Sequence, residues 1–316
     1  MRAPRPAAAR SVLEAATSRL AAAGIETARV DAEWLLAGVL GVRRAETLAR
    51  LDGDLSEPLA RQFREAVDRR AQREPLQQIL GWEEFHRLRL TLTADVMVPR
   101  PETEQLVEWA LALLPRPGGH APLAIDLGTG SGCIACALAA ERPDLQVVAV
   151  DASPAAVSIA VRNVTALGLR SRITVGVSDL FSVLGRMWAD LIVANPPYLP
   201  TMVLAGLTPE VTTWEPRLAL DGGADGLHLI RRIVAEAPAW LAPGGALVLE
   251  TAGGSQVAAA VCLLRGAGFV DVATRADLAG VERFVAARLP SPRPYPWRRA
   301  QQLSHQSPEL VLCQPA

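Results

Sequence analysis

The sequence has no lysine, few aromatic residues and almost no net charge. All 32 basic residues are arginine, the formal net charge is −1, and aromatic residues make up 4% of the 316 residues. Proteins that bind nucleic acid non-specifically usually carry a basic excess, so the charge balance argues against that class. We attribute the missing lysine, in a chain rich in alanine, to genome composition rather than to function.

Cysteine is also scarce, and long apolar runs are missing. The four cysteines form no disulfide framework, so we expect a protein of the reducing cytoplasm. Cys133 and Cys136 are spaced like half of a zinc-binding set, but a second pair is missing. We therefore interpret them as small core residues of a helix and predict no metal site. No apolar run approaches the roughly 20 residues that cross a bilayer, and the first ten residues lack the apolar region of a signal peptide, so we expect no membrane association.

Hydrophobic periodicity divides the chain into four parts. Residues 1–74 show only the helical period, which predicts a small helical domain. In residues 75–101 the period becomes two, which predicts a β-hairpin linker. From 102 to 289 strands alternate with helices, which is typical of a doubly wound, mostly parallel α/β sheet. Residues 290–316 are rich in proline and glutamine, and we expect a disordered tail.

A helix is predicted to open at 98–104 and to run to about Leu114, and beyond residue 120 the α/β part is predicted to contain seven strands and four helices. The strands are expected at 123–127, 147–151, 173–179, 191–195, 246–251, 269–277 and 283–288, and the helices at 133–140, 154–167, 227–241 and 255–267. The link between the last two strands is too short for a crossover helix, so these strands are expected to be antiparallel neighbours.

Arginine is concentrated at one end of the predicted helical domain. The residues are Arg61, Arg64, Arg69, Arg70 and Arg73. We interpret this arginine cluster as a solvated face, because arginine is rarely buried without a partner.

A glycine-rich loop follows the first predicted strand of the sheet. Its sequence is Asp126-Leu127-Gly128-Thr129-Gly130-Ser131-Gly132. The glycines permit a tight turn and let a ligand approach the backbone at the positive end of the next helix. Asp151 ends the second strand, where its carboxylate is placed to accept hydrogen bonds from ribose hydroxyls. The alternative is that Asp151 only caps the helix that begins at Ser153-Pro154.

The most informative stretch is Asn195-Pro196-Pro197-Tyr198, at the end of the fourth predicted strand. Two successive prolines remove two N–H donors and fix φ, so the turn is stiff and its carbonyls are free to accept from a ligand. Asn195 adds an amide that donates and accepts, and Tyr198 adds a flat ring. These groups suit a planar –NH2 group, either a carboxamide or the exocyclic amine of a base.

Together these motifs resemble class I S-adenosylmethionine-dependent methyltransferases and, among them, the HemK/PrmC family. The resemblance covers about residues 10–289 and includes the stretches 74–81, 98–104 and 215–223. That family methylates the side-chain amide of the glutamine in the Gly-Gly-Gln motif of peptide-chain release factors. The resemblance therefore implies a Rossmann-like seven-stranded methyltransferase sheet, S-adenosylmethionine as cofactor and class-1 release factors as protein substrates.

The resemblance also implies roles for individual residues. The expected cofactor-binding residues are Gly128, Thr129, Gly130, Ser131, Gly132, Asp151, Leu180 beside the adenine, and Asn195. The glutamine amide is expected to contact Asn195, Pro196, Pro197 and Tyr198, of which Asn195, Pro196 and Tyr198 are the expected catalytic residues. The helical domain at 1–74 is expected to help hold the release factor, and nothing in the sequence demands more than a monomer.

Two other functions fit parts of the pattern. A nucleic-acid amino-methyltransferase acting on adenine N6 or guanine N2 uses the same kind of turn, because both substrates present a planar –NH2 group. Such enzymes usually flip a base and grip phosphates, and this chain lacks a basic excess and a separate recognition domain. A non-catalytic adaptor with this fold is favoured only by loss of Asn195 or the glycine-rich loop, and both are present.

Overall fold

The computed structural model describes residues 7–116, 121–185 and 187–291. The chain separates into two compact units, one made of the residues up to 83 together with 92–94 and 207–215, the other of the remaining residues. The predicted domain boundaries at 74, 101 and 289 stay predictions. Apart from residues 290 and 291, the predicted tail lies outside the described residues.

Helices occur in both units. Among the described residues the α-helices are α1 (Ala9–Ala22), α2 (Ala28–Leu40), α3 (Arg44–Ala49), α4 (Glu57–Ala71), α5 (Leu76–Leu80), α6 (Pro101–Leu113), α7 (Cys133–Glu141), α8 (Pro154–Ala166), α9 (Pro209–Trp214), α10 (His228–Glu236) and α11 (Ser255–Gly266). Short 3₁₀ turns lie at Thr201–Gly206, Arg217–Ala219 and Ala237–Ala239. None of the described helices has the length and apolar character needed to cross a membrane.

The strands form one large sheet and two small ones. In chain order the strands are β1 (Ala7–Ala8), β2 (Asp54–Leu55), β3 (Trp82–Phe85), β4 (Leu88–Thr91), β5 (Leu123–Leu127), β6 (Gln146–Asp151), β7 (Ile173–Val177), β8 (Ala189–Ala194), β9 (Leu241–Glu250), β10 (Val270–Ala276) and β11 (Glu282–Arg288). The small sheets pair β1 with β2 and β3 with β4.

The first unit is mainly helical, as predicted, and has its own core; the small sheet of β1 and β2 was not predicted. Leu13 of α1, Leu36 of α2 and Phe63 of α4 are almost completely buried in this core. The short helix α5 occupies the first residues of the predicted β-hairpin linker. It ends at Gly81, which adopts the left-handed conformation at φ +79° that glycine tolerates best.

Arg70 corrects the interpretation of the arginine cluster as a solvated face. Its side chain is only 8% exposed, and its Nε donates to Oδ2 of the buried Asp31 at 2.7 Å. Its Nη1 donates to Oε1 of Glu210 at 2.9 Å, and Arg73 donates to Oε2 of Glu210 at 2.8 Å. The other three arginines of the cluster are exposed. These ion pairs explain why the segment 207–215, which includes Glu210, belongs to the helical unit.

The second unit contains the predicted doubly wound, seven-stranded sheet, which is confirmed. Its strand order is β10-β11-β9-β8-β5-β6-β7. Strands β9, β8, β5, β6 and β7 are parallel, and β11 is antiparallel to both β9 and β10, as expected for the last two strands. Because the chain proceeds outward from β5 on one side and then continues from β8 on the other, the order reverses between β5 and β8. Ligands of such sheets bind at this reversal.

Apolar side chains cover both faces of the large sheet. One core contains residues of α6 and α7, and the other contains residues of α10 and α11. Of the two cysteines predicted to be core residues, Cys136 is fully buried in the first core and Cys133 is partly buried against it. The helix predicted over 227–241 is shorter, because α10 ends at Glu236 and a 3₁₀ turn containing Pro238 follows.

Replacing Arg70 with leucine should destabilise the helical unit strongly. The change leaves the buried Asp31 carboxylate without its cation, and breaking a buried pair in this way costs about 3–5 kcal/mol. Urea denaturation followed by far-ultraviolet circular dichroism measures the free energy of unfolding. The control is Arg61→Leu at an exposed position of the same helix, for which a change within about 0.5 kcal/mol is expected. Equal losses for the two variants would show that the pair contributes nothing.

Candidate active site

Strand pairing brings four chemically important residues into one row at the carboxyl edge of the sheet. Leu127 of β5 pairs with Val150 of β6 and Ala194 of β8, and Ala194 pairs with Leu249 of β9. The residue after each of these four is, in order across the sheet, Asp151, Gly128, Asn195 and Glu250. Residues far apart in the sequence are therefore neighbours at the point where the strand order reverses.

The glycine-rich loop turns sharply after β5. Gly128, Gly130 and Gly132 have φ angles of +69°, +55° and +82°, which side chains with a Cβ rarely adopt. A Cβ on Gly132 would also lie 3.3 Å from the Cβ of Ala160. Glycine is thus required here by the backbone conformation and, at Gly132, by the close approach of α8.

The buried Asp126 carboxylate supports the loop from below. Its Oδ2 accepts hydrogen bonds from the Thr129 hydroxyl at 2.6 Å and from the Ala135 backbone N–H at 3.2 Å. Burial raises the pKa of Asp126 to about 7. Its Oδ1 is buried with no hydrogen-bond partner among the described residues. The carboxylate therefore links the loop to the first turn of α7.

Asp151 holds the same loop from the side. Its Oδ2 accepts from the Gly130 N–H at 2.8 Å, and its Oδ1 accepts from the Ser153 N–H at 2.9 Å. The N-cap of α8 is Ser153, whose hydroxyl accepts from the Ala156 N–H at 3.2 Å. Asp151 therefore does not cap α8 itself; it binds the cap residue and the loop. Because a carboxylate has about four acceptor sites, capacity remains for ligand hydroxyl groups.

Leu180 has a backbone conformation that is rare for its residue type. Its φ is +50°, and its side chain is 7% exposed. The Ser178 hydroxyl donates to the Leu180 carbonyl at 2.7 Å and stabilises the turn after β7. Such strain in a non-glycine residue often marks a ligand site.

Most of the predicted site residues line a single open cavity. They are Gly128, Thr129, Gly130, Ser131, Asp151, Leu180, Asn195 and Pro197. The empty volume of the cavity, with the solvent at its mouth, is about 1040 Å³. Gly132, Pro196 and Tyr198 are not on its wall. Gly132 precedes α7, Pro196 is buried, and Tyr198 packs partly against the core.

Sequence reasoning assigned no role to another part of the wall. Val96, Met97, Pro99 and Thr103 come from the chain before and within the start of α6, and Leu218 comes from a 3₁₀ turn. The stretches 98–104 and 215–223 had already been singled out as motifs, and that was the signal available for three of these residues. Val96 and Met97 had no comparable signal.

Behind the Asn-Pro-Pro-Tyr turn lies a buried polar group that the sequence did not reveal. The Asn195 amide donates to the Thr103 hydroxyl at 3.1 Å, and this hydroxyl donates to Oε2 of Glu250 at 2.9 Å. The Tyr198 hydroxyl donates to Oε1 of Glu250 at 3.1 Å. Burial raises the pKa of Glu250 to about 7, and burial and the Glu250 charge raise the pKa of Tyr198. An acidic residue at the end of a buried strand was the available signal for Glu250.

Two family models match the chain. One, described as the PrmC N-terminal domain, matches residues 11–81, and the other, described as the methyltransferase small domain, matches residues 110–205. A solved structure, the hMettl16 catalytic domain in complex with MAT2A 3'UTR hairpin 1, is 18% identical with a TM-score of 0.53 and matches over 76% of this chain and 85% of that chain. At this identity the likeness concerns the fold alone.

Two curated relatives are similar over nearly the whole chain. The release factor glutamine methyltransferase of Geobacter sulfurreducens is 44% identical over 89% of this chain and 96% of its own length. The protein of the same name from Cereibacter sphaeroides is 45% identical over 90% of this chain and 99% of its own length. With identity at this level over both units, the chain belongs to the family of release factor glutamine methyltransferases.

Proposed function

We propose that this protein transfers a methyl group from S-adenosylmethionine to the side-chain amide nitrogen of the glutamine in the Gly-Gly-Gln motif of class-1 release factors. The observation that carries the proposal is the placement of Asn195 beside the glycine-rich loop and Asp151 at one edge of the sheet. Membership of the family supports the choice of a glutamine amide over other planar –NH2 groups.

The cavity fits S-adenosylmethionine, which supplies an electrophilic methyl group when bound. Gly128 and Gly130 leave open space where a side chain would stand, so a ligand can reach the backbone. The N–H groups at the start of α7 suit the carboxylate of the cofactor. We assign the remaining acceptor capacity of Asp151 to the ribose hydroxyls and the buried Leu180 side chain to the adenine.

Asn195 and Pro196 are proposed to hold the substrate amide. A carboxamide nitrogen is a poor nucleophile because its lone pair is delocalised into the carbonyl. If the Asn195 side-chain oxygen and the Pro196 carbonyl each accept one N–H, the nitrogen is fixed in position, and positioning alone can contribute about 7–11 kcal/mol. The same two oxygens stabilise the positive charge that develops on the nitrogen.

Tyr198 is proposed to exclude water from the substrate amide, together with Pro197. Its hydroxyl is bound to Glu250 and its backbone carbonyl accepts from Gln256 at 2.8 Å, so both ends of the residue are fixed. A ring held in this way can cover a planar group at little cost in conformational entropy. The helical unit is proposed to bind the body of the release factor.

Methyl transfer from labelled S-adenosylmethionine tests the substrate directly. The expected result is label on a purified class-1 release factor and none on its variant with Gln→Ala in the Gly-Gly-Gln motif. Duplex DNA in a parallel reaction tests the nucleic-acid alternative. Label on DNA, or equal label on both release factors, would contradict the proposal. Salt adds a second criterion, since binding to DNA weakens steeply with salt.

Asn195→Ala should slow turnover strongly and leave most cofactor binding intact. Loss of a preorganised partner of the developing charge costs about 100- to 1,000-fold in kcat, whereas the glycine-rich loop and Asp151 keep their positions. Steady-state kinetics and calorimetric titration with S-adenosylmethionine separate the two effects. Gln146→Ala removes an exposed side-chain amide at the start of β6 and should change neither quantity. Weaker cofactor binding with a normal rate at saturation would contradict the assigned role.

Asp151→Asn should weaken cofactor binding by about 10- to 100-fold, as expected for loss of hydrogen bonds to a charged acceptor. In the variant an NH2 group replaces one of the two carboxylate oxygens, and this group cannot accept a hydrogen bond. Either the Gly130 N–H or the Ser153 N–H therefore loses its acceptor, and the loop is disturbed as well. Titration calorimetry measures the Kd. The control Asp144→Asn weakens a partly buried ion pair with Arg142; neither residue lines the cavity, so the Kd should stay unchanged. A wild-type Kd for Asp151→Asn would assign ribose binding to another residue.

A further inference from the structure

The Asn195 side chain has two ends that differ chemically, and only one of them serves the proposed reaction. Its oxygen accepts hydrogen bonds and its nitrogen donates them. A substrate –NH2 group requires the oxygen to face the cavity. Rotation of the amide by half a turn would present a donor instead, and the substrate would be repelled. The residues behind Asn195 therefore decide whether the site is competent.

A buried set of hydrogen bonds joins Asn195 to Glu250 through Thr103. Thr103, in the first turn of α6, is 2% exposed, and Glu250, at the end of β9, is 1% exposed. The contacts are Asn195 Nδ2 to Thr103 Oγ1 at 3.1 Å and Thr103 Oγ1 to Glu250 Oε2 at 2.9 Å. The Tyr198 hydroxyl contacts the second Glu250 oxygen at 3.1 Å.

Counting protons fixes the direction of every bond in this set. An ionised carboxylate only accepts, so the single hydroxyl protons of Thr103 and Tyr198 both point to Glu250. The Thr103 oxygen has then no proton left and can only accept from Asn195. The Asn195 nitrogen must face Thr103, and its oxygen is left for the cavity. The buried carboxylate thus determines the orientation of an amide that it does not touch.

We propose that Glu250 and Thr103 are positioning residues that hold the Asn195 amide with its oxygen toward the substrate –NH2 group. The proposal rests on the function proposed above and names how that site selects a donor rather than an acceptor. Glu250 also holds the Tyr198 hydroxyl, so one carboxylate orients both the acceptor and the aromatic ring of the turn.

The charge of Glu250 makes this arrangement dependent on pH. Burial raises the pKa of Glu250 to about 7, and the charge of Glu102 adds to this rise. Three interactions lower the pKa: the hydrogen bonds from Thr103 and Tyr198, and the positive charge of Arg283. Arg283 is itself paired with Asp277 at 2.6 Å. The charge of Arg100 acts to lower the pKa of Tyr198. A protonated Glu250 can donate to Thr103, whose proton is then free to point at Asn195. The fixed orientation should be present above the pKa and lost below it, so turnover should rise with pH through about 7.

Two variants of Thr103 test the arrangement. Thr103→Val keeps the shape and removes the hydroxyl, and we expect kcat to fall by about 10- to 100-fold with the Kd for S-adenosylmethionine unchanged. Thr103→Ser restores the hydroxyl and should recover most of the rate. Thr165→Val at an exposed position of α8 is the matched control and should behave as the wild type. Wild-type kcat in Thr103→Val would overturn the proposal.

A measurement that does not need turnover separates this proposal from the proposed function. In isotope-labelled protein the Asn195 side-chain amide signals are identified by their absence in Asn195→Asp. In the wild type and in Thr103→Ser one of these protons should exchange with water about 10-fold more slowly than in Thr103→Val, which corresponds to one hydrogen bond. Equal exchange in all three proteins would overturn the arrangement. If the exchange differs as expected but no release factor is methylated, the positioning stands and the proposed function fails.

Glu250→Gln tests the carboxylate itself. The neutral amide cannot titrate, and its single acceptor oxygen can serve either Thr103 or Tyr198. The inflection near pH 7 in kcat, and the matching change in the Asn195 signals, should therefore be present in the wild type and absent in this variant. An inflection that persists in Glu250→Gln would assign it to another group and contradict the role of Glu250.

Discussion

Parallel pairing of β6, β5, β8 and β9 is the constraint on which the site depends. The pairing of Leu127 with Ala194, and of Ala194 with Leu249, fixes which residues emerge next to one another at the end of the sheet. A shift of one residue in any strand would turn its buried side chains to the opposite face, where they would no longer fit the core. Packing of the apolar cores on the two faces therefore fixes the alignment of the polar groups at the end of the sheet, although these groups are not part of the cores.

Two buried carboxylates stiffen the loops that this alignment brings together. Asp126 acts under the glycine-rich loop, and Glu250 acts behind Asn195 and Tyr198. Burial of an acidic group costs free energy unless hydrogen bonds compensate for the lost hydration. Each of these carboxylates receives its hydrogen bonds from the residues that it positions. The free energy that burial costs is therefore offset by bonds that order the site.

What could be predicted from the sequence is what is encoded locally. The strand 189–194, the glycine-rich loop and the Asn-Pro-Pro-Tyr turn each depend on a few consecutive residues, and their order along the chain determines the class of sheet. The burial of Arg70 could not be inferred in this way, because its partners Asp31 and Glu210 lie 39 and 140 residues away. The role of Glu250 could not be predicted for the same reason, since Glu250 and its partner Thr103 are 147 residues apart in the sequence.

The helical unit is made of three separate stretches of the chain, and this affects how the protein can be divided. The segment Leu207–Glu215 follows the Asn-Pro-Pro-Tyr turn, yet it belongs to the helical unit, where Gln78 donates to the carbonyl of Trp214 at 3.1 Å. A fragment that begins after residue 83 would keep this segment and lose its partners Arg70, Arg73 and Gln78. The two units are thus compact bodies whose chain segments alternate along the sequence, and no single cut in the chain yields both of them intact.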